Sequence, residues 1–232
     1  MEKSKQKVAI ISGASGGIGT SVSKRLSEDG FIIVPVSYPE YNITDENTIK
    51  EVIGGTVKKY GAINVCIHTA ISPIVRKKLL DININEFREQ YEVGLFGGFI
   101  FMQEIAKAMK NAGQGGSIIA ISSSAIEPNV PSGGMIGYIS AKFALRGLLR
   151  EMSRELAPLN IRVNAIAPGF IDTSLNKDIP ARMIEFLKEK NPFKKMVTGD
   201  DIANLVSFLV SDKSEAITGL HIPVTYGENI TL

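Results

Sequence analysis

The stretch that most restricts this chain is an apolar run, Val8-Ala-Ile-Ile11, that breaks at Ser12 into Gly13, Gly16, Gly17 and Gly19. Short runs rich in β-branched side chains, with no polar alternation, suit strands covered on both faces. A helical pattern follows through Val22, Leu26 and Asp29, and Gly30 is placed to end it. Strand, glycine loop and helix together make a phosphate cradle. Without Cβ atoms the backbone can approach the anion, and the free N–H groups of the first helical turn point at it. Ser12 and Ser15 can add hydroxyl donors. The spacing is Gly13-x-x-x-Gly17-x-Gly19 rather than G-x-G-x-x-G, and a tight βα turn without a ligand would use the same residues. The position between an apolar strand and a helix favours a dinucleotide.

The chain has 232 residues, enough for one domain with a sizeable core. A net charge of +2 gives no reason to expect nucleic acid or an anionic membrane as partner. The first seven residues are polar, and no signal peptide of normal shape or bilayer-length apolar run is expected. The single cysteine, Cys66, excludes an intrachain disulfide and fits a reducing, cytoplasmic setting. With one cysteine and only His68 and His221, no metal site is expected.

Further strands are expected at residues 31–36, 63–68, 117–121, 161–167 and 218–224, with a short apolar piece at 41–43. Pro35 is awkward in a central strand, because it lacks a ladder donor, and belongs near a strand end or bulge. Helices are expected at 44–60, 85–109, 135–156, 179–190 and 200–210, and a basic loop at 73–80 carries Arg76, Lys77 and Lys78. Gly94, Gly97 and Gly98 fall inside the helix at 85–109. Each costs about 1 kcal/mol against alanine there, which close packing against another backbone would offset. Strand–helix alternation argues for a doubly wound parallel sheet in one α/β domain, with ligands at the carboxyl ends of its strands.

Tyr138 and Lys142 lie four residues apart, on one helical face. A phenol with a pKa of about 10 is a poor acid–base catalyst at neutral pH. An ammonium about 4 Å away supplies about 4 kcal/mol at an effective dielectric near 20, enough to lower it by about three units. Alone, this spacing also describes an ordinary helix with a packed tyrosine and an exposed lysine.

Taken together, the glycine loop, the serines Ser122, Ser123 and Ser124 after a strand, Tyr138-x-x-x-Lys142 and Pro168-Gly169 resemble the short-chain dehydrogenase/reductase family in its compact form. The segments Ile161 to Thr173 and Ala216-Ile-Thr-Gly219 are also like that family, so the resemblance covers nearly the whole chain. It implies a Rossmann-type sheet of about seven strands and a nicotinamide cofactor. It makes Tyr138 the proton donor or acceptor at the substrate oxygen, and Lys142 the group that lowers the tyrosine pKa and holds the nicotinamide ribose. It gives Ser123 the hydrogen bond to the substrate oxygen, with Ser124 as the neighbouring alternative. Along the cofactor it places Gly13, Ser15, Gly16, Gly17, Ile18, Gly19, Ser37, Asn42, Ile43, Thr69, Ala70, Pro168, Gly169, Ile171 and Thr173, together with Tyr138 and Lys142. It also implies a homotetramer, or a homodimer, paired through the helices at 85–109 and 135–156.

Three places depart from the family's pattern. His68-Thr-Ala-Ile71 stands where Asn-Asn-Ala-Gly is usual, which makes His68 either a wall of the adenosine pocket or a core histidine. Gly94 replaces an asparagine that locally distorts the long helix and anchors a relay water. Ser37-Tyr38 stands where an acidic residue usually receives the adenine ribose. Loss of that carboxylate favours NADP(H) over NAD(H), because nothing there repels a 2′-phosphate. The leading reading is an oxidoreductase that passes hydride between the nicotinamide and a carbonyl or carbinol carbon. The alternative is a cofactor-binding regulatory protein without turnover. A sugar epimerase fits less well, because the chain lacks length for a separate substrate domain. Substrate walls are expected from residues 126–136 and 170–198. The second of these is basic through Lys177, Arg182, Lys188, Lys190, Lys194 and Lys195.

Overall fold

The N-terminal apolar run forms strand β1, Val8–Ser12, with every residue buried. It is followed by β2 (Ile32–Val36), β3 (Val65–His68), β4 (Gly116–Ile121), β5 (Ile161–Pro168) and β6 (His221–Val224). The computed structural model describes residues 6–128, 133–171 and 180–228. All pairings are parallel, in the order β2-β1-β3-β4-β5-β6. The order reverses between β1 and β3, and that reversal opens a crevice at their carboxyl ends.

The sheet has six strands among the described residues rather than seven, because residues 41–43 pair with no strand. Pro35 sits one residue from the end of β2, an exposed position on an edge strand where no ladder donor is needed. The last strand starts at His221 rather than at 218, since Thr218 turns its hydroxyl to the Val163 N–H at 3.0 Å.

Helices cover both faces. On one face α1 (Gly17–Glu28) and α7 (Gly199–Val210) bury Val22, Leu26, Ile202, Val206 and Leu209 against Ala9, Ile11, Val65, Ile67 and Ile119. The other face takes α2 (Glu46–Tyr60), α4 (Gly98–Ala112) and α5 (Ile136–Leu156), packed on Ile10, Cys66, Ile118, Ala120, Val163 and Ala165. The two sets alternate along each strand, as the two-residue strand period requires. Local chemistry sets the ends of α2: Asp45 accepts from the Asn47 and Thr48 N–H groups, and Gly61 stops the helix at φ +90°. The remaining helices are α3 (Ile84–Tyr91) and α6 (Ala181–Lys190). No helix among the described residues is long and apolar enough to cross a membrane.

The single helix expected at 85–109 is three pieces. α3 passes through a π-helical turn, Glu92–Gly97, into α4. Two of its glycines are there for close approach. A Cβ on Gly97 would lie 2.8 Å from Ile43 Cγ2, and one on Gly98 would lie 2.5 Å from His68 Nε2.

Candidate active site

The crevice beside β1 is built by glycines. Gly13 turns the chain at φ +69°, and a Cβ there would sit 2.8 Å from the Ala70 N–H. A Cβ on Gly19 would collide with the Gly13 carbonyl. The turn is held from β3's side by Thr69, whose hydroxyl donates to the Ser12 carbonyl at 2.8 Å and the Gly13 carbonyl at 3.1 Å. Helix α1 starts with no side-chain cap and no acidic residue in its first turn, so its N–H groups are offered to an anion. Gly13, Ser15, Gly16, Gly17, Ile18, Gly19, Ser37, Asn42, Ile43, Thr69 and Ala70 all line this crevice. The donor set and the glycine floor fit the pyrophosphate and adenosine of a dinucleotide. Pro168 ends β5 and Gly169 donates to the Val224 carbonyl at 2.9 Å, while Ile171 bridges to Val197. Pro168 closes β5 and Gly169 and Ile171 follow it, all three outside the crevice lining, and Thr173 lies outside the described residues.

The second cluster stands at the start of α5. Tyr138 is half-buried, with its hydroxyl inward and Ser123 close enough to lower its pKa. Ser123 Oγ also accepts from the Ala125 N–H at 3.1 Å, which fixes it at the mouth of β4. Ser124, the alternative, opens the short 3-10 turn that follows and is buried. Lys142 is 5% exposed, and its Nζ donates to the Ile121 carbonyl at 2.7 Å. Burial lowers the lysine to about 8.

The expected close ammonium–phenol pair takes a different form. Nζ lies 5.8 Å from the Tyr138 ring centroid and is turned to the β4 carbonyl. Burial holds the phenol above its ordinary value; Ser123 and the charge of Arg76 pull it down. Arg76 reaches this site because its loop is pinned. Lys77 bridges to Met135, and Gln90 accepts from the Val75 N–H at 3.2 Å and donates to the Pro73 carbonyl at 2.8 Å. The basic loop was visible in sequence; its docking on the front of α5 is a tertiary contact with no local signal.

His68 is a core residue, 1% exposed, and lies outside the crevice lining, which corrects its reading as an adenosine wall. Its Nε2 is 3.0 Å from the Gly94 carbonyl and its Nδ1 2.8 Å from Ser12 Oγ. A carbonyl only accepts, so Nε2 carries the hydrogen and Nδ1 accepts from the serine. Burial lowers the ring to about 4, and Lys142 pushes the same way. The two departures at 71 and 94 face each other. A Cβ on Gly94 would meet only Ile71 Cγ1, at 3.9 Å, so bulk lost from the helix reappears on the loop after β3. The basic charges of the 170–198 segment are partly answered by acids: Lys188 by Glu185 at 2.7 Å and Lys194 by Glu189 at 3.2 Å. No cluster of three or more potential metal ligands occurs among the described residues.

A doubly wound sheet with this crevice and a Tyr–Lys–Ser cluster at the end of β4 fits the nicotinamide-dependent oxidoreductase class. The family described as enoyl-(acyl carrier protein) reductase matches residues 33–229. The 3-oxoacyl-[acyl-carrier-protein] reductase of Thermotoga maritima is 30% identical, over 95% of this chain and 97% of its own length. Trans-4-hydroxycyclohexanecarboxylate dehydrogenase of Sinomonas cyclohexanicum is 28% identical, over 96% and 93%. The crystal structure of a 3-ketoacyl-(acyl-carrier-protein) reductase from Brucella melitensis, complexed with NADH, superposes with TM-score 0.88 at 22% identity, over 97% and 98%. The chain belongs to the short-chain dehydrogenase/reductase family and is an NAD(P)-dependent oxidoreductase.

Two outcomes follow from the burial of Lys142 and His68. Lys142 has a lower pKa folded than unfolded, so the unfolded chain holds more protons between pH 8 and 10.5 and stability rises with pH there. Below that window the buried ammonium costs about 3 kcal/mol. Lys142→Met removes this cost and forfeits about 1 kcal/mol of hydrogen bonding to Ile121. The denaturation midpoint should therefore rise while turnover is lost; a fall in midpoint contradicts the assignment. His68 also has its folded pKa depressed, from 6.5 to about 4, so its contribution is complete above pH 6.5 and is lost as pH falls toward 4. In denaturant titrations across that range, His68→Asn should lose less stability than the parent, by about 3 kcal/mol.

Proposed function

We propose that this protein interconverts a small-molecule carbonyl compound and its secondary alcohol, with Tyr138 as acid/base, Ser123 as hydrogen-bond donor to the substrate oxygen and Lys142 as the neighbouring cation. What carries this reading is Tyr138 facing Ser123 at the carboxyl end of β4, with Lys142 buried one helical turn away and held by the Ile121 carbonyl. A bound nicotinamide supplies or takes the hydride at the carbon. The chain's own residues do the rest. Ser123 orients the oxygen, Tyr138 gives up or receives its proton, and Lys142 and Arg76 favour the phenolate. Pro168, Gly169, Ile171 and Thr173 would hold the carboxamide end.

The 232 residues act as one dinucleotide-binding and catalytic domain, since a single sheet carries both clusters. We also propose a homotetramer, with a homodimer as the smaller assembly. Phe96, Phe99 and Phe143 are half or nearly half exposed on the π turn, α4 and α5, an apolar face that a second copy would cover. A cytoplasmic setting suits the free, buried Cys66, whose thiol burial pushes well above its ordinary value. No nucleic acid or membrane partner enters this reading.

Tyr138→Phe keeps the ring and removes the proton. Activity should be followed by cofactor absorbance on a carbonyl panel that includes an oxoacyl thioester and a cyclic keto acid. A loss of about 10²–10⁴-fold with intact folding is expected, and near-native turnover would overturn the assignment. For the cofactor, Ser37, Tyr38 and Asn42 line the adenosine end without a carboxylate to repel a 2′-phosphate. They offer hydrogen bonds but no ion pair, so NADPH should bind more tightly than NADH by no more than about tenfold, or 1.4 kcal/mol. Fluorescence titration of both reduced cofactors measures this; tenfold tighter NADH reverses it.

A further inference from the structure

Behind the catalytic cluster lies a second polar row. The end of β4 carries three groups in succession. The Ile121 carbonyl holds Lys142 Nζ at 2.7 Å, Ser122 Oγ lies 2.9 Å from His221 Nε2, and Ser123 faces Tyr138. Pairing of β4 with β5 stops at the Ser122 N–H, which donates to the Ile166 carbonyl at 2.7 Å.

His221 opens the short edge strand β6 and pairs with Ala165, which pairs with Ala120. Those two alanines leave the space in which the imidazole crosses β5 to reach Ser122. Its Nδ1 lies 2.9 Å from Glu127 Oε1, and that oxygen lies 3.4 Å from Arg146 Nη1. The side chains of His221 and Glu127 are 7% and 8% exposed. The Nδ1 approach is off the axis of an aligned hydrogen bond, so attraction of the ring dipole to the carboxylate holds it. An acceptor facing Nδ1 puts the hydrogen there and leaves Nε2 to accept from the Ser122 hydroxyl. Burial, Arg146 and Lys142 lower the imidazole pKa against the pull of Glu127. Arg146 stands one turn beyond Lys142 on α5, so this helix holds the row at its far end as well. The Ser–His–Glu order is that of a nucleophile triad, but Ser122 is 3% exposed and no substrate carbonyl reaches it.

We propose that His221, oriented by Glu127 and Arg146, is a positioning residue for the reaction: through the Ser122 hydroxyl it fixes the 121–123 segment, and with it the Ser123 contact to Tyr138 and the carbonyl that holds Lys142. The inference rests on the catalytic reading of Tyr138, Ser123 and Lys142 given above. Releasing the tether lets Ser123 drift from the phenol, and the pull by which Ser123 lowers the phenol pKa weakens.

The test is a tyrosinate absorbance titration of the whole protein, with each variant compared with its own Tyr138→Phe version so that only Tyr138 is read. Ser122→Ala and His221→Leu should move the Tyr138 titration up by about half a pH unit or more, a factor of at least about three in its proton dissociation constant. His221→Gln, whose amide can reach Ser122, should restore the parent value. A merely structural role lowers the unfolding midpoint without moving this titration. The proposal is overturned if Ser122→Ala leaves Tyr138 unshifted, and that small substitution decides alone should His221→Leu fail to fold. It is also overturned if Gln shifts Tyr138 as far as Leu does. Retained turnover in the single Tyr138→Phe variant would instead overturn the catalytic reading, and the two failures are read from separate measurements.

Discussion

A primary ammonium buried between the sheet and α5 is the constraint around which the polar residues of this protein are arranged. Lys142 is 5% exposed and donates to one strand-end carbonyl at 2.7 Å. Burial of this kind disfavours the charged form, yet a value of about 8 leaves the side chain charged at neutral pH. The neighbours answer that charge. His68 and His221 both have pKa values lowered partly by Lys142, so neither adds a second cation to the layer. Glu127, with its side chain 8% exposed, brings a carboxylate into the same layer. A buried carboxylate would be costly alone, and Arg146 and His221 flank it.

Volume in this layer is exchanged rather than added. The His68 ring occupies the space that a Cβ on Gly98 would need. Ile71 stands over Gly94, and the alanines at 120 and 165 make room for His221. Interiors are packed densely enough that such swaps succeed only when volume is conserved locally. The departures from the family's pattern at 68, 71 and 94 are therefore one coupled change. His68 bonds the Gly94 carbonyl, and Ile71 covers the missing side chain.

What sequence showed, and what it could not, divides along the range of the interactions. The βα turn at Gly13–Gly19 was legible because strand, turn and helix signals are contiguous. So was α2, with Asp45 and Gly61 as its caps, and the Tyr138–Lys142 pair, which needs only a helix. The crevice residues at 37, 42, 43, 69 and 70 came instead from the family resemblance, since no local signal marks them. The π turn was hidden, because the Gly94 carbonyl it offers is met by His68, 26 residues away, a contact with no local signal. Arg76 was hidden for a like reason, since the Lys77–Met135 bridge brings its loop to α5. Ser122 and His221 are 99 residues apart and meet across an intervening strand, a contact to which no periodicity points. Pro35 looked wrong for a strand only while that strand was taken to be central.

The two histidines show how one piece of chemistry serves two ends. Each takes the hydroxyl proton of a serine at the carboxyl end of a strand, Ser12 on β1 and Ser122 just past β4. Each then faces an acceptor on the element packed above: His68 donates to the Gly94 carbonyl, whereas His221 Nδ1 lies beside the Glu127 carboxylate without an aligned hydrogen bond. A neutral imidazole is suited to this because it donates and accepts at fixed points on opposite sides of a rigid ring. The acceptors differ in what they add. A carbonyl supplies a fixed dipole, so the His68 link sets the pitch of the helix at the π turn and little else. A carboxylate supplies a full charge in a low-dielectric layer, where Arg146 answers it. The first link is therefore geometric, whereas the second ties the geometry of the Ser123 segment to the charges of Glu127 and Arg146.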